Sequence, residues 1–289
     1  MALELKPHTG AGVEVLGVDL ANLSDVELAA VKHAYADYGL VFFRDQSMDE
    51  DAHIKLAAKF GPININRFFA AHADFPEIAM VVKEADQETN IGGGWHTDHS
   101  YDHAPAMGSI LVAKELPDAG GDTWFVSMYD AFDRLSQGMK QTLRGLNAVH
   151  SAKHVFGAGE GYDTKEASVG DRIGNADAVD SLTDPVHPVV IKHPLSGKEA
   201  LYVNPAFTLH FEGWTREESE PLLNFLYEHA VSEPSICKFQ WRPGSVAFWD
   251  NRSTWHFAQN DYQGKRREMH RITIDGCVLE PAHAASVMR

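Results

Sequence analysis

Residues 245–256, SVAFWDNRSTWH, join a β-type run to a short polar turn and then to a histidine that follows a tryptophan. The run SVAFWD (245–250) is rich in Val and aromatic residues and ends at an Asp, which is typical of a strand. Six further runs share this character: LVFF (40–43), SILVAKEL (109–116), TWFVS (123–127), HPVVIKH (187–193), EALYVN (199–204) and RITIDGCVL (271–279). Because these runs do not alternate regularly with helices, a doubly wound parallel sheet is disfavoured. The sequence predicts a mainly β fold with flanking helices, a β-sandwich or jelly roll.

Three segments carry the capping-box spacing that begins helices, in which a Ser or Thr precedes a Glu by three residues. They are Ser24–Glu27, Ser47–Glu50 and Thr215–Glu218. Gly39 and Gly61 are positioned to end the first two helices. A fourth helical stretch is predicted at about residues 128–143.

The chain length and composition indicate one sizeable core. The sequence has 289 residues, of which 44% are hydrophobic, and this suits a single domain over residues 1–289. The polar, Gly- and Asp-rich segment at about 157–184 is predicted to be a long surface loop, since strand signals resume directly after it. Loops of that length in compact domains are often lids or binding elements.

The charge of the chain excludes several classes of partner. A formal net charge of −16 repels phosphate backbones and anionic membranes, so we expect neither a nucleic-acid nor a membrane partner. Two cysteines are too few for a disulfide framework, although one pairing stays open. The segment MALELKPHTG (1–10) lacks the apolar stretch of a secretory signal, and no run approaches the length of a membrane span. A cytoplasmic protein is therefore expected.

A candidate metal site lies at His96-Thr97-Asp98. On a strand, residues i and i+2 point to the same face, so His96 and Asp98 can bind one ion together, with His256 as the third ligand. Two imidazoles and one carboxylate on one face of an octahedral ion suit non-haem iron(II), because the opposite positions stay open. A zinc hydrolase can use the same set, and His-x-Asp alone is a weak pattern in a chain with 16 histidines. Asp250 and Asn251 are expected to orient His256 by hydrogen bonds.

Arg267 and Arg271 distinguish the metal-site alternatives. They stand four residues apart, so they share a face if RREMHRITI is a strand. The planar guanidinium of an arginine matches a carboxylate at two points. An arginine just after a metal-binding histidine is what a dicarboxylate co-substrate requires. The alternative, a basic surface run, explains Lys265 and Arg266 well and explains Arg271, set in an apolar strand, poorly.

These residues resemble a known family. HTD (96–98), GGDT (120–123), WDNR (249–252), His256 and RREMHR (266–271) are similar to the motifs of the TauD/TfdA family of 2-oxoglutarate-dependent dioxygenases, and FFRDQ, KFGP and LYVN also fit. The resemblance implies a double-stranded β-helix (jelly roll) and the use of iron(II), 2-oxoglutarate and dioxygen, with ascorbate as a stimulant. It implies His96, Asp98 and His256 as iron ligands and Thr123 and Arg267 as ligands of the far carboxylate of 2-oxoglutarate. Arg271 is expected to contact the substrate, the co-substrate or both.

The resemblance also narrows the substrate to a small organic anion. Asn66 aligns with a substrate-binding histidine of taurine enzymes, which disfavours taurine, and the segments 127–132 and 145–157 look closer to enzymes that cleave aryloxypropionates. An aryloxyalkanoate is therefore favoured, with taurine, an alkylsulfonate or an alkyl sulfate as alternatives and a zinc hydrolase or a non-catalytic binding protein as more distant ones. Substrate contacts are predicted at Asn66, Phe68, Tyr101, Phe207 and Arg271, with Phe69 as a further candidate. The family includes dimers and tetramers, so a homo-oligomer is among the expected states.

Overall fold

The computed structural model describes residues 3–157, 179 and 182–282. One large sheet dominates it, and its strands follow one another in space as β1 (Glu4–Pro7), β2 (Val13–Leu16), β3 (Leu40–Phe43), β14 (Val246–Asp250), β6 (Gly108–Glu115), β16 (Arg267–Ile274) and β4 (Ile63–Asn64), with β5 (Ala79–Lys83) also paired to β16. All pairings are antiparallel except β2 with β3. The predicted runs at 40–43 and 123–127 form strands with the same bounds, and the run at 245–250 forms β14.

Three smaller sheets have three strands each. The first contains β13 (Cys237–Phe239), β7 (Thr123–Ser127) and β15 (Thr254–Ala258); the second contains β12 (Thr208–Phe211), β8 (Asn147–His150) and β9 (Val186–Pro188); the third contains β11 (Glu199–Leu201), β10 (Val190–Lys192) and β17 (Glu280–Pro281). The predicted strand at 187–193 is therefore two short strands, separated at Val189. The chain passes from β14 in the large sheet to β15 in the first small sheet through the turn at 251–253.

Helices flank the strands, largely as their caps predict. They are α1 (Asp25–Tyr38), α2 (Glu50–Ala58), α3 (Met128–Asp133), α4 (Gln137–Leu143), α5 (Lys153–Phe156) and α6 (Arg216–Ala230), with a 3-10 turn at Leu20–Asn22. Capping boxes at Ser24 and Thr215 are formed as predicted. Two details differ: Asp49, not Ser47, caps α2, and the stretch at 128–143 is two helices, because Ser136 begins a new one.

The large sheet is buried on both faces, and strand β14 shows how. Val246 and Phe248 pack into the cluster beneath α1, where Phe248 stacks on Tyr35 with ring centroids 4.0 Å apart. Ala247 and Trp249 point the other way, into the layer shared with the first small sheet. Strand β16 alternates similarly, since Ile272 and Ile274 join the first cluster and Met269 the second. Arg267 and Arg271, which share the parity of Met269, therefore point between the sheets.

Three sequence expectations concern other parts of the chain. Most of the segment 157–184 lies outside the described residues, so its prediction as a lid stays a prediction. Cys237 is buried, Cys277 is exposed, and both are free thiols. Among the described helices, none is long and apolar enough to span a membrane.

Candidate functional site

His96, Asp98 and His256 come together between the sheets. The backbones of His96 and His256 exchange two hydrogen bonds, with N···O distances of 3.1 and 2.8 Å. Their Nε2 atoms lie 3.8 and 3.6 Å from the carboxylate oxygens of Asp98. The three ligand atoms are within 4.8 Å of one another, close enough to hold one metal ion. His96 forms an isolated bridge and belongs to none of the regular strands, yet the expected convergence of positions i and i+2 holds.

The protonation states of these groups suit a metal ligand set. His96 Nδ1 donates to the carbonyl of Gly94 at 2.8 Å, which leaves the Nε2 lone pair free. Burial, followed by the nearby His96, lowers the pKa of His256, so this imidazole is neutral. Burial by itself raises the pKa of Asp98, but the surrounding groups, chiefly the Arg271 guanidinium, together outweigh burial and hold that pKa well below its usual range. Asp98 is therefore an anionic carboxylate at neutral pH.

Packing rather than a hydrogen bond orients the His256 ring. Its Nδ1 atom is buried without a hydrogen-bond partner, and the ring centroid lies 4.7 Å from that of Trp249 and 6.2 Å from that of Phe125. The expectation that Asp250 and Asn251 orient this histidine is wrong. Asp250 accepts hydrogen bonds from Arg252 and His193, and the Asn251 amide bonds to Trp249 and to the carbonyl of Ala106.

Arg267 is a buried arginine whose guanidinium lacks hydrogen-bond partners at two of its nitrogen atoms. Its side chain is 5% exposed, and its Nε and Nη2 atoms have no hydrogen-bond partner. Burial lowers the pKa of this guanidinium, which nevertheless stays charged because the ordinary pKa of arginine lies far above neutral pH. The Thr123 hydroxyl accepts from Trp241 Nε1 at 2.9 Å, so its own proton is available to another acceptor. Gly121 borders the guanidinium: a Cβ there would lie 3.3 Å from Arg267 Nε, and the backbone has a φ of +72° that favours glycine.

Arg271 contacts the candidate metal ligand directly. Its Nη2 donates to Asp98 Oδ2 at 2.7 Å, and its Nε donates to Ser109 Oγ at 3.0 Å. The guanidinium also lies near the rings of Phe69 and Trp249, 5.7 and 5.5 Å from their centroids. Charge-assisted bonds of this kind are strong and directional, so Arg271 fixes the orientation of the Asp98 carboxylate.

One cavity of about 810 Å³ connects these groups. Its walls include the three candidate metal ligands and the candidate co-substrate and substrate contacts, namely His96, Asp98, Thr123, His256, Arg267 and Arg271. Apolar and aromatic side chains complete the walls, among them Phe69, Val81, Tyr101, Leu111, Phe156 and Phe207. The cavity therefore combines a metal-binding group, two guanidinium groups and an apolar surface.

Two predicted substrate contacts, Asn66 and Phe68, do not line the cavity, and this corrects the sequence-based assignment. The Asn66 side chain instead accepts hydrogen bonds from the backbone N–H groups of Phe68 and Phe69, at 2.8 and 3.0 Å. Phe68 is 1% exposed and stacks on Phe156 at 4.4 Å. The turn that Asn66 holds presents Phe69 to the cavity instead.

A second group of potential ligands, Glu50, His72 and His270, lies outside the cavity. Lys114 Nζ is 2.7 Å from Glu50 Oε1, and Glu268 Oε1 is 2.9 Å from His270 Nε2. Glu50 and His270 thus already have partners within the chain, and this group forms part of an ion-pair network.

Several residues of the site escaped the sequence reasoning. Gly94 and Ser109 bind candidate site residues, and Trp241, which lies just after β13, donates a hydrogen bond to Thr123 on the neighbouring strand β7. The glycine run 92–94, directly before Trp95, could have been recognised in the sequence as part of the site. In the structure these glycines line the cavity beside His96. Ser109 and Trp241 had no local signal, since pairing across the sheet brings them to the site.

Comparison with known proteins agrees with this geometry. A sequence model described as "Taurine catabolism dioxygenase TauD, TfdA family" matches residues 3–273. The alpha-ketoglutarate-dependent sulfonate dioxygenase of Saccharomyces cerevisiae is 34% identical over 275 residues, which cover 91% of this chain and 64% of that protein. The (S)-phenoxypropionate/alpha-ketoglutarate-dioxygenase of Sphingobium herbicidovorans is 31% identical over 271 residues, 92% of each chain.

Solved structures show the same architecture. A taurine dioxygenase from Burkholderia xenovorans superimposes with a TM-score of 0.79 at 30% identity, covering 96% of this chain and 91% of that one. TauD-like dioxygenases have a jelly-roll fold, so the predicted fold class is confirmed. The relatives are oxidoreductases that use iron(II), 2-oxoglutarate and dioxygen, which decides against the zinc hydrolase and the non-catalytic binding protein. The chain belongs to the TauD/TfdA family of 2-oxoglutarate-dependent dioxygenases.

Proposed function

We propose that this dioxygenase hydroxylates a small organic anion with an apolar body, of the aryloxyalkanoate kind. His96, Asp98 and His256 bind the iron(II), Thr123 and Arg267 bind the far carboxylate of 2-oxoglutarate, and Arg271 faces the substrate anion. The observation that carries this assignment is the buried guanidinium of Arg267, whose Nε and Nη2 atoms have no hydrogen-bond partner, in the cavity that also contains the three candidate metal ligands.

The donor set fits iron(II). It offers two imidazoles and one carboxylate whose ligand atoms lie within 4.8 Å of one another in the wall of the cavity. Such a set leaves coordination positions for a chelating co-substrate and for oxygen. When bound, iron(II), dioxygen and 2-oxoglutarate supply the oxidising chemistry, in which one oxygen atom enters the substrate as hydroxyl and the other enters succinate as carbon dioxide leaves.

The pair Arg267 and Thr123 fits a carboxylate. A buried guanidinium whose hydrogen bonds are not made is costly, and an anion with two oxygens can accept from both Nε and Nη2 at once. The Thr123 hydroxyl can donate a further bond to the same anion. These contacts hold the co-substrate in one orientation, with its keto-acid end directed toward the metal ligands.

The remaining walls favour an anion with an apolar body over taurine. Apart from Asp98, no carboxylate is found among the described residues that line the cavity, so an ammonium group would lack an acidic partner there. Tyr101, Phe156 and Phe207 form an aromatic surface in which Tyr101 and Phe207 contact edge to face at 4.8 Å. An aryl or alkyl group buries apolar area against this surface and excludes water from the site.

The test is succinate formation from 2-oxoglutarate with iron(II) and ascorbate in air. We would compare both enantiomers of a phenoxypropionate, an alkyl sulfate and taurine, with His96→Ala as the control variant. Stimulation by a phenoxypropionate that disappears in His96→Ala supports the proposal. Stimulation by taurine or the alkyl sulfate alone would refute the aryloxyalkanoate assignment and keep the metal site. Full activity of His96→Ala would refute the assignment of the iron ligands.

A further inference from the structure

We infer that Thr97 is a positioning residue, whose hydroxyl fixes the segment that carries His96 and Asp98 to the turn that precedes His256. This inference rests on the iron ligands proposed above. Thr97 lies between two of them and is 2% exposed. Its side chain does not line the cavity, so any effect it has on the metal is indirect.

The contact joins two segments that are distant in the sequence. The Thr97 hydroxyl donates to the backbone carbonyl of Asn251, in the turn that connects β14 to β15. His256 is the third residue of β15, and its backbone pairs with that of His96. The residue between His96 and Asp98 is thus bonded to the turn that leads into the strand of His256.

The turn that receives this bond is itself fixed. Asn251 donates its backbone N–H to Met107 O at 3.0 Å, and its side-chain oxygen accepts from Trp249 Nε1 at 2.9 Å. Asp250 accepts from Arg252 Nη2 at 2.6 Å and from His193 Nε2 at 3.1 Å, both fully buried. The Asn251 carbonyl, which accepts the Thr97 bond, is therefore held in place by contacts on several sides. The bond in turn restrains the segment that carries Asp98.

Removing the hydroxyl should weaken metal binding without removing a ligand. In Thr97→Val, a methyl group replaces the hydroxyl at nearly constant volume, and the Asn251 carbonyl loses its donor. Partners that orient metal ligands typically contribute 10- to 100-fold in metal affinity. We expect the dissociation constant for manganese(II), a redox-inert substitute for iron(II), to rise by about 10-fold or more.

The experiment titrates manganese(II) into the full chain and follows the melting temperature in parallel. Thr97→Ser keeps the hydroxyl and should bind within about twofold of the unmodified enzyme. Ser219→Ala is the matched control, because Ser219 also buries a hydroxyl that donates to a backbone carbonyl, at 2.8 Å and far from the cavity. Thr97→Ala replaces Thr97→Val if the valine variant does not fold.

The outcomes separate this inference from the ligand assignment. Weaker manganese binding in Thr97→Val but not in Thr97→Ser or Ser219→Ala supports the positioning role. A lower melting temperature with unchanged manganese affinity, or an equal loss of affinity in Thr97→Ser or Ser219→Ala, overturns it. If the unmodified enzyme and His96→Ala bind manganese equally, the ligand assignment fails and the inference fails with it.

Discussion

Replacing Arg267 by methionine should strongly weaken 2-oxoglutarate binding while leaving the free protein as stable as before, or more so. Two nitrogen atoms of the guanidinium, Nε and Nη2, have no hydrogen-bond partner. Each charge-assisted bond contributes about 1.5–3 kcal/mol, so two bonds to a carboxylate correspond to roughly 3–6 kcal/mol. At 1.4 kcal/mol per tenfold, the affinity for 2-oxoglutarate should fall by about 10²- to 10⁴-fold. The same substitution removes a buried charge whose Nε and Nη2 atoms have no hydrogen-bond partner, and such a charge lowers the stability of the free protein.

Thermal unfolding under anaerobic conditions, with manganese(II) and 2-oxoglutarate, measures both effects. At 100 times its dissociation constant a ligand stabilises a protein by about 2.7 kcal/mol, which for a chain of this size is a shift of roughly 5 °C. A 100-fold loss of affinity would reduce that stabilisation to about 0.4 kcal/mol, a shift of about 1 °C. Arg266→Met is the matched control, because the neighbouring Arg266 pairs with Glu84, Glu115 and Glu268 on the surface. It should keep the full ligand-induced shift.

Two results would refute this reasoning. If Arg267→Met keeps the ligand-induced shift, the guanidinium does not bind the co-substrate. If Arg267→Met unfolds at a markedly lower temperature without ligand, the guanidinium has a structural partner and its unpaired state is not what drives binding.

Three further predictions follow from the same structure. His256→Ala should abolish manganese binding in a calorimetric titration, whereas His210→Ala, which removes a histidine that does not line the cavity, should not; equal binding in both would contradict the ligand set. Phe207→Ala should raise the KM for a phenoxypropionate by about 2- to 10-fold, which is the contribution of one aromatic contact, and leave the KM for 2-oxoglutarate unchanged. Phe225→Ala, at an exposed position, is the control, and a parallel rise in both KM values would argue against a substrate contact. Burial lowers the pKa of His53 to about 3 and that of His187 to about 4. Below pH 6.5 the unfolded chain therefore binds more protons than the folded one. As the pH falls to about 4, the free energy of unfolding should decrease by about 1.4 kcal/mol per pH unit for each of these histidines. Urea unfolding at pH 7 and pH 5 measures this slope, which His187→Asn should reduce and the exposed His33→Gln should not; a slope unchanged by His187→Asn would count against it.

Local patterns in the sequence determined the elements and much of the site. The capping boxes at Ser24 and Thr215 begin helices because a cap depends on residues three apart, and the runs at 40–43 and 123–127 form strands because their composition suits a buried pleated surface. Spacing likewise placed His96 with Asp98 and Arg267 with Arg271, since side-chain direction along extended backbone repeats every two residues. The third ligand, His256, was proposed because two ligands on one strand require another from elsewhere in the chain, and the family motifs agree with it.

Only the tertiary structure decided which partners these side chains have. The sequence placed Asp250 against His256, yet burial pairs Asp250 with Arg252 and His193, and aromatic packing orients His256. Phe68 was predicted from the sequence to contact the substrate, but the turn held by Asn66 directs Phe69 into the cavity instead. Nothing in the sequence indicated that Arg271 bonds to Asp98 or that Thr97 bonds to Asn251. Periodicity is a property of neighbouring residues, whereas these contacts join segments far apart in the chain, and their geometry is set by the packing of one sheet against another.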